Sequence, residues 1–307
     1  MTDKASVKRL EGIIPALAVP MNEGGAVDFA LLEKQGTYLC SHPIAGIFVG
    51  GSTGEGPYLA TEEKLQIFRT VKRLAPEGVA LCAACIQPAT AQVVEEVRVL
   101  TGEGADFVVA VAPYYLGVPQ EGILSHFRRI ARESPVPVIL YNIPQNTHNP
   151  MALETIRALA AEDNIAGIKD SSGDFVSFSR GVLGEVPGPF AWIQGEDLLE
   201  APSYLLGARG VVSGLSNVCV DPYLALRQAV LSGDLEKVRE GQRGIHRLFR
   251  VVQAADGRGI PAIKAAMELL GRGSRHMRLG ALTLDPRDVE RIRVVLKEIG
   301  LLKEGAG

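Results

Sequence analysis

The sequence predicts an α/β fold, a (β/α)8 barrel that is followed by a C-terminal helical extension. Eight short and almost wholly apolar segments recur within residues 1–232, and a helical segment follows each of them. Short apolar runs are typical of strands that are buried on both faces of a parallel sheet. Eight such units favour a closed barrel. A doubly wound sheet is the alternative, but Pro20-Met21-Asn22-Glu23 after the first strand is not the Gly-rich dinucleotide fingerprint.

Each predicted strand is bounded by Gly, Pro or polar residues. The strands are predicted at residues 13–19, 46–49, 79–86, 107–112, 136–141, 165–169, 190–193 and 210–212. Helices are predicted between them at residues 28–41, 61–74, 90–101, 121–132, 151–161, 175–183 and 198–206. Asp28 and Thr61 are predicted as N-caps, and Glu62 and Glu63 suit the first turn of the second helix.

The tail after the eighth strand is helical, with helices predicted at residues 221–231, 235–252, 261–270 and 286–299. The first of these completes the eighth unit. We therefore divide the chain into a catalytic barrel, residues 1–232, and a helical extension, residues 233–307. A basic stripe in the extension is interpreted as a solvated face, because the chain is acidic overall. The stripe consists of Arg239, Arg243, Arg247 and Arg250.

The 307 residues are 47% hydrophobic and 22% charged, which is typical of a globular protein. The formal net charge of −3 gives no support for a nucleic-acid partner. No apolar run reaches the roughly 18 residues of a membrane-spanning helix, and residues 1–10 lack the apolar core of a secretory signal. The four cysteines are scattered and do not suggest a disulfide framework, so a cytoplasmic protein is predicted.

Two of the cysteines, Cys82 and Cys85, have the C-x-x-C spacing of redox and zinc motifs. They lie within a predicted strand, where residues three apart face opposite sides of the sheet. They cannot share a metal ion there, and the sequence has no second pair. We interpret both as small core residues.

Catalytic groups of a barrel lie at the C-terminal ends of its strands. The residues that follow the predicted strands there include Ser52, Thr53, Tyr114, Tyr115, Tyr141, Lys169, Gly195, Asp197 and Ser213. This set has one lysine, several hydroxyls and no histidine, and the five histidines of the chain are scattered. A metal-dependent aldolase or hydrolase would need clustered His, Asp and Glu ligands. The sequence therefore predicts no metal and no cofactor.

Lys169 ends the apolar strand at 165–169 and is the candidate nucleophile. A buried ammonium is costly, and desolvation lowers the pKa of a lysine. A lysine that is partly neutral near pH 7 can attack a ketone. The alternative is a structural lysine whose ammonium reaches water beyond the strand end. Lys264 is a rival nucleophile, but it lies within a helical segment of the tail.

Two further strand ends offer groups that suit a ketone substrate. Tyr141 ends the strand before that of Lys169, so its phenol can shuttle protons near an iminium if the two strands are neighbours. The alternative is a tyrosine that closes the core with its hydroxyl at the rim. Residues 50–56 form a Gly-rich turn whose backbone N–H groups can hold a carboxylate or a phosphate. A plain tight turn is the alternative for this segment.

Three motifs together resemble one family. They are Gly51-Ser52-Thr53-Gly54-Glu55, Tyr141-Asn142-Ile143-Pro144 and Gly167-Ile168-Lys169-Asp170-Ser171-Ser172-Gly173. They are similar to the signatures of the dihydrodipicolinate synthase / N-acetylneuraminate lyase family, and the likeness extends over residues 12–299. The resemblance implies a (β/α)8 barrel with a helical extension, class I aldolase chemistry on pyruvate or another 2-oxo acid without metal, and a homotetramer built as a dimer of dimers.

The resemblance also implies roles for single residues. Lys169 matches the Schiff-base lysine and Tyr141 the proton-relay tyrosine. Ser52 and Thr53 match the residues that bind the carboxylate of the 2-oxo acid, and Thr53 or Ser52 would join the hydroxyl relay. Tyr115 matches a tyrosine that some members extend across the dimer interface into the neighbouring site. The positions that line the pocket are matched by Gly195 and Val212.

Two departures from the family pattern bear on the substrate. Dihydrodipicolinate synthases carry an Arg two residues after the proline of the Tyr141 motif, where this chain has Asn146, and a neutral amide cannot replace a charged bidentate fork. Sialic acid lyases carry Gly-x-Asp-Glu after the seventh strand, and this chain keeps Asp197 but not the Glu. Asp197 would hold a sugar hydroxyl or begin the next helix.

The hypothesis from the sequence is a class I aldolase that cleaves a 2-keto-3-deoxy sugar acid, or a related 4-hydroxy-2-oxo acid, to pyruvate and an aldehyde. A dihydrodipicolinate synthase (4-hydroxy-tetrahydrodipicolinate synthase) or a related dehydratase, with Asn146 in place of the usual Arg, is the first alternative. A non-catalytic 2-oxo acid binder on the same scaffold is the second, although Lys169 beside Tyr141 argues against it. The sequence specifies neither the aldehyde nor the direction of the reaction.

Overall fold

The computed structural model describes residues 7–184, 186 and 188–303, so most of the predicted polar N-terminal segment, 1–10, lies outside the described residues. The strands are β1 (Gly12–Pro15), β2 (Gly46–Val49), β3 (Ala80–Ala84), β4 (Phe107–Val111), β5 (Val138–Asn142), β6 (Ile165–Asp170), β7 (Ala191–Gln194) and β8 (Gly210–Ser213). They form one parallel sheet in the order β1-β8-β7-β6-β5-β4-β3-β2. Every strand is buried along its whole length, as expected for a sheet that is covered on both faces.

Two backbone hydrogen bonds join the ends of the sheet. The N–H of Ala45 donates to the carbonyl of Ile13 at 2.9 Å, and the N–H of Leu17 donates to the carbonyl of Phe48 at 3.0 Å. Because these bonds connect β1 to β2, the eight strands enclose a nearly closed barrel. The predicted (β/α)8 barrel is confirmed, and the doubly wound alternative, which is an open sheet, is wrong.

The helices alternate with the strands and then continue beyond β8. They are α1 (Phe29–Cys40), α2 (Thr61–Leu74), α3 (Thr90–Gly102), α4 (Gln120–Glu133), α5 (Pro144–Thr147), α6 (Leu153–Ala160), α7 (Phe175–Val182), α8 (Glu200–Leu206), α9 (Asp221–Ser232), α10 (Leu235–Gln253), α11 (Gly259–Leu269) and α12 (Pro286–Glu298). No helix in the described part of the chain is long and apolar enough to cross a membrane.

The N-caps show where local prediction succeeds and fails. Asp28 caps α1, because its Oδ1 accepts the N–H of Leu31 at 3.0 Å. The predicted cap at Thr61 is wrong, since Thr61 is already helical and Ala60 occupies the N-cap. Glu63 supplies a hydrogen-bond acceptor at this helix end instead, because its carboxylate accepts the N–H of Ala60 at 3.0 Å.

The core has two layers. One buried cluster draws on every strand and includes Ile14, Phe48, Cys82 and Tyr141, which places it inside the barrel. A second and larger cluster packs the outer faces of the strands against the helices and includes Cys85. The two cysteines therefore lie in different layers, as the strand period predicted. Burial raises the pKa of the Cys82 thiol to about 12.

The helices beyond β8 pack closely on the barrel. A Cβ atom built on Gly241 of α10 would lie 2.8 Å from the Cα of Leu226 in α9, so only glycine allows this approach. The boundary at residue 232 stays a prediction. The arginine stripe is exposed and paired with acids on the same surface, which agrees with a solvated face. Its contacts are Arg239–Glu236, Arg243–Glu240, Arg247–Glu240 and Arg250–Glu298.

Candidate active site

Lys169 lies at the C-terminal end of β6 with its side chain inside the barrel, and it is 5% exposed. Its Nζ atom lies 3.8 Å from the centre of the Tyr141 ring and 4.9 Å from the centre of the Phe48 ring. It forms no ion pair with a carboxylate among residues 7–184, 186 and 188–303. A lysine that faces aromatic rings and no counter-ion is poorly explained as a structural cation, and this favours a chemical role.

Tyr141 lies directly opposite Lys169 in the register of β5 and β6, so the two strands are neighbours as the proton-relay hypothesis required. Its hydroxyl is 3.5 Å from the Oγ of Ser52, which is the long limit of a hydrogen bond. Burial would raise the pKa of Tyr141, but the Lys169 charge and hydrogen bonds with Lys169, Ser52 and Ser171 lower this pKa below the ordinary value of a tyrosine. The phenol is thereby suited to proton transfer.

The Gly-rich loop after β2, residues 50–56, turns sharply beside these groups. The N–H groups of Gly54, Glu55 and Gly56 are used within the loop. Those of Ser52 and Thr53 donate to no group in the described part of the chain. Two adjacent free N–H groups next to a lysine and a phenol are suited to hold the carboxylate of a 2-oxo acid.

The two hydroxyls of this loop point to different neighbours. Ser52 reaches Tyr141, whereas Thr53 lies against the loop after β8. A Cβ atom built on Gly214 of that loop would lie only 2.8 Å from the Oγ1 of Thr53. Of the two residues proposed for the hydroxyl relay, the structure thus brings Ser52 to the phenol.

Gly195 borders the lysine on the side of β7, and Val212 lies in β8. A Cβ atom on Gly195 would lie 3.0 Å from the Cε of Lys169 and 2.1 Å from the Oγ of Ser171, so a larger residue would displace the lysine. Val212 is buried in the same interior cluster as Tyr141. The structure thus places Gly195 beside the Lys169 amine and Val212 in the barrel interior, and their role in lining a pocket stays a prediction.

Asp197 lies in an acidic cluster that sequence reasoning did not find. Its Oδ1 accepts hydrogen bonds from Ser213 at 2.5 Å and from Tyr223 at 2.7 Å. Burial raises the pKa of Asp197 to about 6, while these two hydroxyls and the Lys169 charge lower it. Glu200, one helical turn further, is also buried, and burial together with Asp197 raises its pKa well above the usual range. Tertiary packing brings Tyr223 to Asp197, whereas Glu200 is close to it in sequence.

The raised pKa of Asp197 predicts a pH-dependent stability. Because the folded pKa, about 6, exceeds the ordinary 3.8, the native state binds the proton more tightly than the unfolded chain. The contribution of Asp197 to stability is therefore expected to fall as the pH rises from about 4 to about 6. In Asp197→Asn, which keeps the accepting Oδ1, urea unfolding should show stability that rises relative to the wild type between pH 4 and 6 and exceeds it by about 2–3 kcal/mol above pH 7.

Glu200→Gln serves as the control for this prediction. It tests the neighbouring buried carboxyl, whose pKa burial raises well above the usual range, and it should likewise stabilise the protein at neutral pH. An unchanged slope in Asp197→Asn between pH 4 and 6 would contradict the burial argument.

Tyr115, which is also predicted to be catalytic, follows β4 and is exposed, whereas Lys169 and Tyr141 are buried. Its side chain is 88% exposed, and its φ of +82° is a conformation that residues with a Cβ rarely adopt. The neighbouring Tyr114 lines the cavity described next. The rival nucleophile Lys264 is fully buried, and its Nζ donates to Glu55 at 2.5 Å.

A cavity of about 490 Å³ opens beside the Ser52 hydroxyl. It is lined by Ser52, Pro57, Tyr58, Ile86, Val111, Tyr114, Ile143, Asn146 and Thr147. None of these lining residues carries a charge. Asn146 offers this cavity an amide and no charge.

The sequence profile of the Dihydrodipicolinate synthetase family matches residues 9–299. A curated relative from Microcystis aeruginosa, named 4-hydroxy-tetrahydrodipicolinate synthase, is 35% identical over 94% of this chain and 97% of its own length. A protein of the same name from Archaeoglobus fulgidus is 31% identical over 95% of this chain and 99% of its own length.

Solved structures give the same result. The dihydrodipicolinate synthase of Aquifex aeolicus superimposes with a TM-score of 0.88 at 31% identity, covering 96% of this chain and 100% of that one. The enzyme of Acinetobacter baumannii, solved in complex with pyruvate, has a TM-score of 0.89 at 28% identity. The match covers 95% of this chain and 100% of that one. The chain therefore belongs to the dihydrodipicolinate synthetase family and is a lyase of the class I aldolase type.

Proposed function

We propose that the chain forms a Schiff base between Lys169 and pyruvate and uses it to make or break a carbon–carbon bond with an aldehyde. The observation that carries the proposal is the arrangement of one buried lysine, one phenol opposite it in register and two free N–H groups beside them. A pyruvate molecule needs these three things: a nucleophile, a proton relay and an anchor for its carboxylate. The pyruvate complex of the A. baumannii relative supports the choice of 2-oxo acid.

In the proposed reaction the neutral amine of Lys169 attacks the ketone carbon of pyruvate, and loss of water gives an iminium. Loss of a proton from the methyl carbon gives an enamine, whose carbon attacks the aldehyde carbonyl. Tyr141 donates a proton to the oxygen that becomes the new hydroxyl, and water then hydrolyses the iminium to free the lysine. Cleavage is the reverse, with Tyr141 accepting the hydroxyl proton.

The 4-hydroxy-tetrahydrodipicolinate synthase reaction is the first candidate for the overall activity, because the similar curated relatives carry this name. Cleavage of a 2-keto-3-deoxy sugar acid is the second candidate. One observation favours it: the uncharged cavity with Asn146 lacks a guanidinium to hold a carboxylate of the second substrate. Turnover assays with both classes of aldehyde separate the two.

The Schiff base itself is tested by incubating the protein with pyruvate and borohydride and measuring the intact mass. Reduction converts an imine to a stable amine, so we expect one adduct per chain that peptide mapping assigns to Lys169. An adduct on Lys264 would transfer the role to the rival lysine. No adduct in folded protein, with pyruvate or with larger 2-oxo acids, would refute the proposed mechanism.

Asn146 gives a prediction about the second substrate. Asn146→Arg adds a bidentate cation to the cavity, so it should raise kcat/KM for an aldehyde that carries a carboxylate by about tenfold or more. The same change should leave kcat/KM for uncharged aldehydes unaltered or lower it. Thr147→Ser, on the same cavity wall, is the control and should change neither. If the ratio of the kcat/KM values for charged and uncharged aldehydes did not change, Asn146 would not select the substrate.

We further propose a cytoplasmic homotetramer, a dimer of dimers in which Tyr115 extends into the neighbouring subunit's site. The exposure of the Tyr115 ring and its positive φ support this role. The molecular mass in solution tests the assembly, and Tyr115→Phe tests the residue through a loss of turnover without loss of the tetramer.

A further inference from the structure

We propose that the buried Glu55–Lys264 ion pair holds the loop of residues 50–56 in the shape that binds the carboxylate of the 2-oxo acid. Both residues are then positioning residues, which act on the substrate through Ser52 and Thr53. The inference rests on the proposed function, because that function gives the loop its ligand.

The ion pair joins the loop to the C-terminal extension. Glu55 is 2% exposed and Lys264, in α11, is 0% exposed, with 2.5 Å between the Lys264 Nζ and the Glu55 Oε1. The other carboxylate oxygen of Glu55 accepts the backbone N–H of Arg278 at 2.9 Å. Two separate parts of the extension therefore hold one side chain of the loop.

The backbone at Glu55 explains why such an anchor is needed. Its φ of 56° and ψ of 29° are left-handed, a conformation that a residue with a Cβ adopts only when its surroundings impose it. In this conformation the N–H of Glu55 donates to the carbonyl of Ser52 at 3.0 Å and closes the turn. The same turn directs the free N–H groups of Ser52 and Thr53. Releasing the Glu55 side chain would allow the turn to relax and the two N–H groups to separate.

The position of α11 supports the same conclusion. Ile263, which precedes Lys264, and Thr53 both contact Gly214: a Cβ atom on this glycine would lie 3.4 Å from the Ile263 Cδ1 and 2.8 Å from the Thr53 Oγ1. The helix thus lies against the loops after β2 and β8. A buried ion pair is weak support for a stabilising role, because apolar residues of similar size often stabilise as well or better. Its presence here is better explained by orientation of the loop.

The chain offers a matched control in a second buried ion pair. Lys64 and Glu96 are both 2% exposed, and their Nζ and Oε1 atoms are also 2.5 Å apart. This pair joins α2 to α3, and neither side chain forms a described hydrogen bond with the loop. Equal substitutions at both pairs separate an effect on the loop from the general effect of removing a buried ion pair.

The test uses the full-length chain with Glu55→Gln, Lys264→Met, both together, and the matching pair Glu96→Gln with Lys64→Met. Two quantities are measured: the pyruvate concentration that gives half-maximal borohydride trapping, and amide hydrogen exchange of residues 50–56 without ligand. We expect the Glu55 and Lys264 variants to need about tenfold more pyruvate, or more, with faster loop exchange and little change in the maximal trapping rate. Glu55→Gln keeps the size of the side chain and remains informative if Lys264→Met does not fold.

The control pair should shift the half-saturating pyruvate concentration less than twofold. Equal shifts at both ion pairs, or unchanged loop exchange in every Glu55 and Lys264 variant, would overturn the inference. A wild-type chain that forms no imine with pyruvate would refute the proposed function instead. In that case the hydrogen exchange would still decide whether the ion pair holds the loop.

Discussion

Replacing Lys169 with methionine is expected to abolish turnover and to leave the protein as stable as before, or more stable. Methionine has nearly the same length and keeps the packing against Tyr141 and Phe48, but it has no amine. The rate should fall by about 10⁴-fold or more, since covalent catalysis has no substitute nucleophile here. The borohydride adduct with pyruvate should disappear at the same time.

The expected effect of this substitution on stability follows from the surroundings of the lysine. Lys169 is buried without an ion-pair partner in the described part of the chain, so methionine replaces a buried cation by an apolar group in an apolar and aromatic setting. Removing the cation is expected to raise the free energy of unfolding by up to about 2 kcal/mol, which is the usual trade between activity and stability. Lys169→Arg is the control: it keeps a charge but has no neutral form near pH 7 and should be equally inactive. An active Lys169→Met variant would place the chemistry elsewhere.

Much of the fold follows from local pattern, because strands buried on both faces leave short apolar runs that alternate with amphipathic helices. The pattern fails where a buried segment leaves the sheet. Residues 16–19 are as apolar as β1, but Leu17 bonds across to Phe48 and Ala18 donates to the side chain of Asn217 at 3.1 Å. No local signal distinguishes these partners from a strand ladder. Asn217 itself is fully buried and joins the loops after β1 and β8 through long-range hydrogen bonds.

The site divides in the same way. Lys169 and Tyr141 could be predicted because each ends an apolar strand, and neighbouring parallel strands bring their ends together. Ser52 and not Thr53 lies next to the phenol, in a loop that makes a left-handed turn at Glu55. Glutamate is not a residue type that predicts such a turn. The contacts of Asp197 with Tyr223 span 26 residues, and those of Glu55 with Lys264 span 209. Such pairings are properties of the packed barrel.

Removing only the phenol oxygen, in Tyr141→Phe, is expected to lower kcat by about 10²–10⁴-fold, because a positioned proton relay contributes an effect of this size. The ring that faces the Lys169 Nζ at 3.8 Å is retained, but the hydroxyl's hydrogen bonds with Lys169, Ser52 and Ser171 are lost. The free energy of unfolding should therefore fall by about 1–3 kcal/mol, which leaves the protein folded. Imine formation with pyruvate should persist, since Lys169 is intact. If Tyr141 is a proton relay, the Tyr141→Phe variant should still form the borohydride adduct with pyruvate but should lose turnover.

The pH profile gives this prediction a sharper form. Since the pKa of Tyr141 is lowered, its deprotonated form is populated at a lower pH than in an ordinary tyrosine. In the cleavage direction, where the base form accepts the hydroxyl proton, kcat should rise with pH through this pKa, and Tyr141→Phe should lose that rising limb. Ser52→Ala, which removes one hydrogen bond that lowers the pKa, should move the limb to higher pH with a smaller loss of rate. A Tyr141→Phe enzyme that kept the wild-type limb would assign the proton to another group, and the phenol would then serve only to pack against the lysine.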